Sequence, residues 1–213
     1  MNISLLIHIL AGSLALLTGT LVLIIKKGTP VHKLLGHTFL VNMLVVGTSA
    51  VVMAVKSDNI ILLIIAVFST YMVTTGKLSG NLKSSNKQTV IWYIWLSVSV
   101  AMLLAVIGML ILAVILFSKG NLFGIVLLTF AIISLGMLWQ DYKYLIKRQT
   151  KGWLPIHISR MVGALIAAYT AFLVVNVSTT FIPAFVLWLV PSLPGSLFIT
   201  YFIRKNTKRK ATV

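Results

Sequence analysis

The sequence predicts an all-α, polytopic membrane bundle of seven transmembrane helices. Three observations carry that prediction. Hydrophobic residues make up 59% of the 213 positions and charged residues only 9%, against about 45–50% and 25% in soluble domains. Apolar runs of membrane-spanning length recur from end to end, where a transmembrane barrel would show short alternating segments. The eighteen Lys and Arg face only two acids, and they gather in the connectors between the runs. A single bundle over residues 1–213 leaves no room for a soluble domain.

The first helix is expected over Ile3 to Ile25, long enough to cross a hydrocarbon core of about 30 Å. It lacks a basic leader and a small-residue cleavage site, so it reads as a retained helix, not a signal peptide. Its stripe Ser4, His8, Gly12, Ala15, Gly19 keeps helical spacing, and small residues on one face turn His8 into the bundle. A turn through Lys26, Lys27, Gly28 and Pro30 carries His32, Lys33, Gly36 and His37 into helix two, Leu34 to Val55. After Lys56, Ser57, Asp58 and Asn59 comes helix three, Ile60 to Thr75. A polar stretch with Lys77, Lys83 and Lys87 follows.

Helix four, Val90 to Phe117, is over-long and enters through Trp92, Tyr93 and Trp95, an interfacial aromatic cluster by composition. Helix five covers Leu122 to Trp139 and helix six Ile156 to Val177, with Pro155 in its first turn, where a missing N–H costs nothing. Helix seven, Thr180 to Ile203, contains Pro191-Ser192-Leu193-Pro194-Gly195. That segment must kink or break it, because proline removes a helical hydrogen bond and clashes with the preceding turn. A basic tail, residues 204–213, ends the sequence.

With seven spans, every Lys and Arg except Lys56 and Lys119 falls toward one side. The positive-inside rule then puts the N-terminus outside and the C-terminus in the cytoplasm. The same distribution makes nucleic acid an unneeded explanation of the +16 charge, and the expected surroundings are a lipid bilayer. The absence of cysteine excludes disulfides, thiolate metal sites and cysteine nucleophiles.

His8-x3-Gly12, followed by His32-Lys33-x2-Gly36, resembles a family of predicted multi-pass bacterial membrane proteins known only as a domain of unknown function. The likeness covers mainly the first fifty residues, and Lys33 stands where that family has Arg. The resemblance implies a small protein of a prokaryotic plasma membrane, implies no activity, and points to His32 more than His37.

The candidate site is the stretch Trp139 to Met161, where Asp141, His157 and Arg160 collect near the cytoplasmic face with His32 and His37; His8 lies toward the outer face. The stripe His157, Arg160, Ala164, Ala167, Ala171 turns Arg160 toward a neighbouring helix. An inward arginine needs a counter-charge, and Asp141 is the only acid on its side. An Asp141–Arg160 pair with His157 beside it is the expected geometry.

Hydrolytic catalysis finds little support, since Asp58 and Asp141 lie at opposite faces. The reading is therefore not an enzyme but a small permease or ligand-binding protein for an anionic or amphipathic molecule. Redox chemistry is the second class: haem b or a divalent metal through His37 and His157, although no cofactor is the primary expectation. An accessory or assembly subunit, in a homo-oligomer or with a membrane-protein partner, is the third.

Overall fold

The computed structural model describes residues 3–81, 88–146, 152–177 and 182–211. Among them the chain forms helices and no strand: α1 Ile3–Ile24, α2 Pro30–Lys56, α3 Ile60–Asn81, α4 Gln88–Ser118, α5 Gly124–Leu145, α6 Trp153–Asn176, α7 Ala184–Leu189 and α8 Ser192–Ala211. Seven helical stretches are long and apolar enough to cross a membrane, the seventh running through α7 and α8 as Ala184–Lys205. This is a multi-pass membrane protein.

α3 is the centre of the bundle. It packs against α2, α4 and α6, while α1 pairs with α2, α5 with α4, and α8 with α6. Half of its membrane-length window is buried, against 6% for the last span. Tyr71, Met72 and Val73 are enclosed there, with Thr75 and Ser79 among them. Where three neighbours pack on one helix, small or hydroxylic residues let them come close. Gly76 is the tightest case at the site: a Cβ there would lie 2.9 Å from the Cβ of Arg160 on α6. At the periphery, Leu104, Ile107, Ile111 and Val114 of α4 are exposed, as side chains facing acyl chains should be.

Several helices outrun the apolar segments that announce them. α3 continues from Thr75 to Asn81, and α5 from Trp139 to Leu145. Asp141 therefore sits inside a helix, not in a connector. Trp92, expected in the lipid interface, instead donates Nε1–H to the Leu145 carbonyl at 2.9 Å. That bond satisfies one of the orphan acceptors at the end of α5. Trp95 is buried and stacks on Tyr144 at 5.9 Å between centroids; of the aromatic cluster, only Tyr93 is strongly exposed, at 62%.

α2 also starts early, at Pro30, because Thr29 caps it by accepting the His32 N–H at 3.2 Å. His32 and Lys33 thus belong to the first turn of α2, not to the preceding turn. α6 starts at Trp153, keeping Pro155 in its first turn. The proline-rich segment interrupts the last span between Leu189 and Ser192. Beyond it, Gly195 comes so close to α6 that a Cβ would meet Ile166 Cδ1 at 2.2 Å. The basic tail is a helical continuation of α8 through Ala211. Lys83, Lys87, Lys147, Arg148 and Lys151 lie outside the described residues.

Candidate functional site

α6 carries the two histidine and arginine positions singled out above, and it sends them in different directions. Arg160 turns toward α5 and α3. Its Nη2 donates to Asp141 Oδ1 at 2.9 Å and to the Met137 carbonyl at 2.9 Å, and its Nη1 donates to Thr75 Oγ1 at 2.9 Å. The guanidinium carbon lies 4.9 Å from the centre of the Tyr71 ring, within cation–π range. The second carboxylate oxygen accepts from Ser99 Oγ at 3.0 Å and from the Tyr71 hydroxyl.

The ion pair thus links α3, α4, α5 and α6 through three donors to the carboxylate and three bonds from the guanidinium. Arg160 is 0% exposed and Asp141 1%. That enclosure leaves no surface on either group for a ligand. Only Arg160 Nε in this network is buried without a hydrogen-bond partner.

His157, three residues before Arg160, takes the other side of Gly76. Its Nδ1 lies 2.8 Å from the Gly76 carbonyl, an acceptor, so Nδ1 carries a proton and donates. The ring also borders a cavity of about 150 Å³ between α1, α2, α3 and α6, whose polar wall is His32, Lys33, His37, Lys77 and His157. A second cavity of about 100 Å³ shares His32 and His157 and adds Lys27 together with Phe198 and Phe202 of α8. Cavities of this size accept a benzene-sized molecule.

Lys27 leans back over the end of α1, donating to the Leu23 carbonyl at 2.8 Å, with its ammonium 5.6 Å from the Phe202 ring centre. Burial lowers its pKa below the ordinary lysine value. The Nδ1 atom of His32 is buried and has no hydrogen-bond partner.

The expected cluster is therefore two sites. Asp141 and Arg160 form the predicted pair, and His32, His37 and His157 line a separate cavity on the opposite side of Gly76. His8 joins neither: its Nδ1 is 3.0 Å from Ser49 Oγ on α2, and it precedes the cavity residue Gly19 by about 16 Å of helix. Among the described residues no group of three or more His, Asp or Glu is placed to hold a metal ion.

Sequence reasoning missed Tyr71, Thr75 and Ser99 in the ion-pair network and Lys27, Lys33 and Lys77 around the cavity. Tyr71 and Thr75 did leave a signal, as polar side chains four residues apart within a span, hence on one face. Ser99 alone left none. The chain matches no protein-family model, no curated protein and no solved structure.

Proposed function

We propose that this protein binds a small anionic or amphipathic ligand at the basic end of the bundle, as a small permease or membrane-embedded binding protein and not as a hydrolytic enzyme. One observation carries the reading. Lys27, Lys33, Lys77, His32 and His157 converge on two adjoining cavities, and the sequence has no acid to oppose them. Of its two acids, Asp141 is committed to Arg160, and Asp58 follows α2 at the other end of the bundle. Cations gathered at one place with no acid among them raise the local concentration of anions.

The positive-inside rule assigns this end to the cytoplasm and the N-terminus to the outside. The resemblance in the first fifty residues supports a prokaryotic plasma membrane. Labelling of single cysteines introduced at Lys119 and Lys77 should mark the outer and inner faces respectively; both on one face would remove this orientation.

The binding test is the melting temperature of the purified protein in detergent, titrated with inorganic phosphate, sulfate and a short-chain dicarboxylate. A ligand bound only by the native state adds about 2.7 kcal/mol at a hundred times its Kd. At least one anion should raise the melting temperature of the wild type and lose that effect in the His32→Gln/Lys77→Gln double variant. No shift with any of them or with a single-chain anionic amphiphile, in a protein that melts cooperatively, would overturn the reading.

A second reading has its own observation. His37 and His157 line one cavity, and the Nδ1–H bond from His157 to Gly76 O is the arrangement that orients an imidazole whose Nε2 ligates iron or another metal. A visible spectrum and metal analysis of the purified protein decide it: a Soret band or stoichiometric metal, lost in His157→Ala, would replace the anion reading.

A further inference from the structure

Resting on the anion reading, we infer that the ligand is a lipid with a phosphate headgroup, whose head occupies the His32/His157 cavity and whose tail leaves sideways between α1 and α8. Three features of the molecule lead there.

The first is the geometry of the cations. Lys33 and His32 come from the first turn of α2, Lys77 from α3 and His157 from α6. Donors approaching from three separate helices suit a group that offers several acceptor oxygens in different directions, which a tetrahedral phosphate does and a planar carboxylate does less well. Lysine binds phosphate as a point charge and needs no planar fork. The buried, unpartnered Nδ1 of His32 provides a further polar contact, as donor or acceptor according to its tautomer. Basic pockets between helices at the charged side of a membrane are a recurrent form of lipid headgroup site.

The second is the continuity of the two cavities. They share Val22, Leu23, His32, His157, Met161 and Val162. Moving from the first to the second, Lys33, His37 and Lys77 give way to Leu154, Ile158, Phe198 and Phe202, with Lys27 set over the Phe202 ring. The first part holds most of the cationic groups and the second, Lys27 apart, adds apolar ones, the polarity of an amphiphile. A free anion would use the first part and leave the second without an occupant.

The third is the position of α8. The last span is the least buried of the seven, at 6% of its window against 50% for α3, and α8 rests on α6. Phe198 and Phe202, one turn apart, are half-buried against the recess, while Leu197 and Tyr201 on the far side are exposed. The apolar half of the recess is thus walled by the least buried of the spans, the side from which an acyl chain would enter.

The test uses the full chain in a mild detergent, with thermal stability read against three probes: lysophosphatidic acid, lysophosphatidylcholine of the same chain length, and inorganic phosphate. Lysophosphatidic acid should stabilise at concentrations about tenfold or more below those of inorganic phosphate, since burying a few methylenes is worth that factor. The capped, zwitterionic lysophosphatidylcholine should not stabilise. Phe198→Ala/Phe202→Ala should weaken the lysophosphatidic acid response by about tenfold and leave the phosphate response alone, which also shows the variant is folded; Phe202→Leu alone should give a smaller loss in the same direction. His32→Gln/Lys77→Gln should weaken both.

If inorganic phosphate works as well as lysophosphatidic acid, the lipid assignment falls and the anion site stands. If lysophosphatidylcholine works equally well, the site reads chains and not phosphate, and the assignment falls. If no probe shifts the transition, both this inference and the reading beneath it fall.

Discussion

The two faces of α6 at its first two turns use similar residues for opposite ends. On one face Arg160 meets Asp141, Tyr71, Thr75 and the Met137 carbonyl, and nothing is exposed. On the other, His157 meets one carbonyl and then opens on a recess bordered by His32, Lys27 and Lys77 with no acid opposite. Matched charge with its lone pairs satisfied gives a packing element. Unmatched charge beside empty volume gives a site that something else must complete. Both touch Gly76: its missing side chain lets α3 approach α6 at Arg160, and its carbonyl accepts from His157.

The comparison breaks first at the ion pair. Truncating one partner of a buried pair leaves the other charge without compensation, which costs about 3–5 kcal/mol. Arg160→Ala and Asp141→Ala should each lower the melting temperature by that order, and the double variant should recover part of the combined loss. Losses that simply add would show the two groups to be independent. Tyr71→Phe comes next: it removes a hydrogen bond to a charged acceptor while keeping the ring under the guanidinium, at about 1.5–3 kcal/mol. A loss no greater than that of a surface Tyr→Phe control such as Tyr93→Phe would take Tyr71 out of the network.

Gly76→Ala tests that shared contact. Its new Cβ would press on Arg160 Cβ at 2.9 Å and on Met161, and overpacking of this kind costs about 1–3 kcal/mol. Unlike Tyr71→Phe, it should disturb both faces, lowering stability and weakening anion binding together. An unchanged binding response alongside the stability loss would mean that the two sites do not share this contact.

How much of this was legible depends on whether the information was local. The seven spans follow from the length and apolarity of single segments, and the break at Pro191 from the chemistry of one residue. The Asp141–Arg160 pair was legible for an unusual reason: with two acids in the chain, on opposite sides, elimination left one partner. Tyr71, Thr75 and Ser99 were not legible as its ligands, because their role depends on which helices are neighbours, and apolar spans of similar composition do not encode adjacency. The true ends of α3 and α5 were hidden because hydropathy reports where lipid ends, not where the helix does. Grouping His157 with Arg160 was a matter of angular resolution. Residues three apart on a helix share a broad face, yet they sit far enough round it to meet different neighbours.

The smallest stability effect belongs to the recess, and it sharpens the contrast most. Lys77 is exposed and His32 half-buried, and neither has a carboxylate to lose. His32→Gln and Lys77→Gln should therefore change stability in the absence of ligand by no more than about 0.5 kcal/mol, the usual range for surface positions. Relief of repulsion among Lys27, Lys33, Lys77 and the imidazoles can even make the change favourable. The same substitutions should remove most of the stabilisation that a bound anion brings. A residue whose replacement leaves the empty protein intact and the liganded protein weaker is one kept for binding; a residue like Arg160 shows its whole cost with no ligand present. Should His32→Gln or Lys77→Gln destabilise the ligand-free protein as strongly as Arg160→Ala, the two faces of α6 would be the same kind of structure, and the recess would be part of the packing.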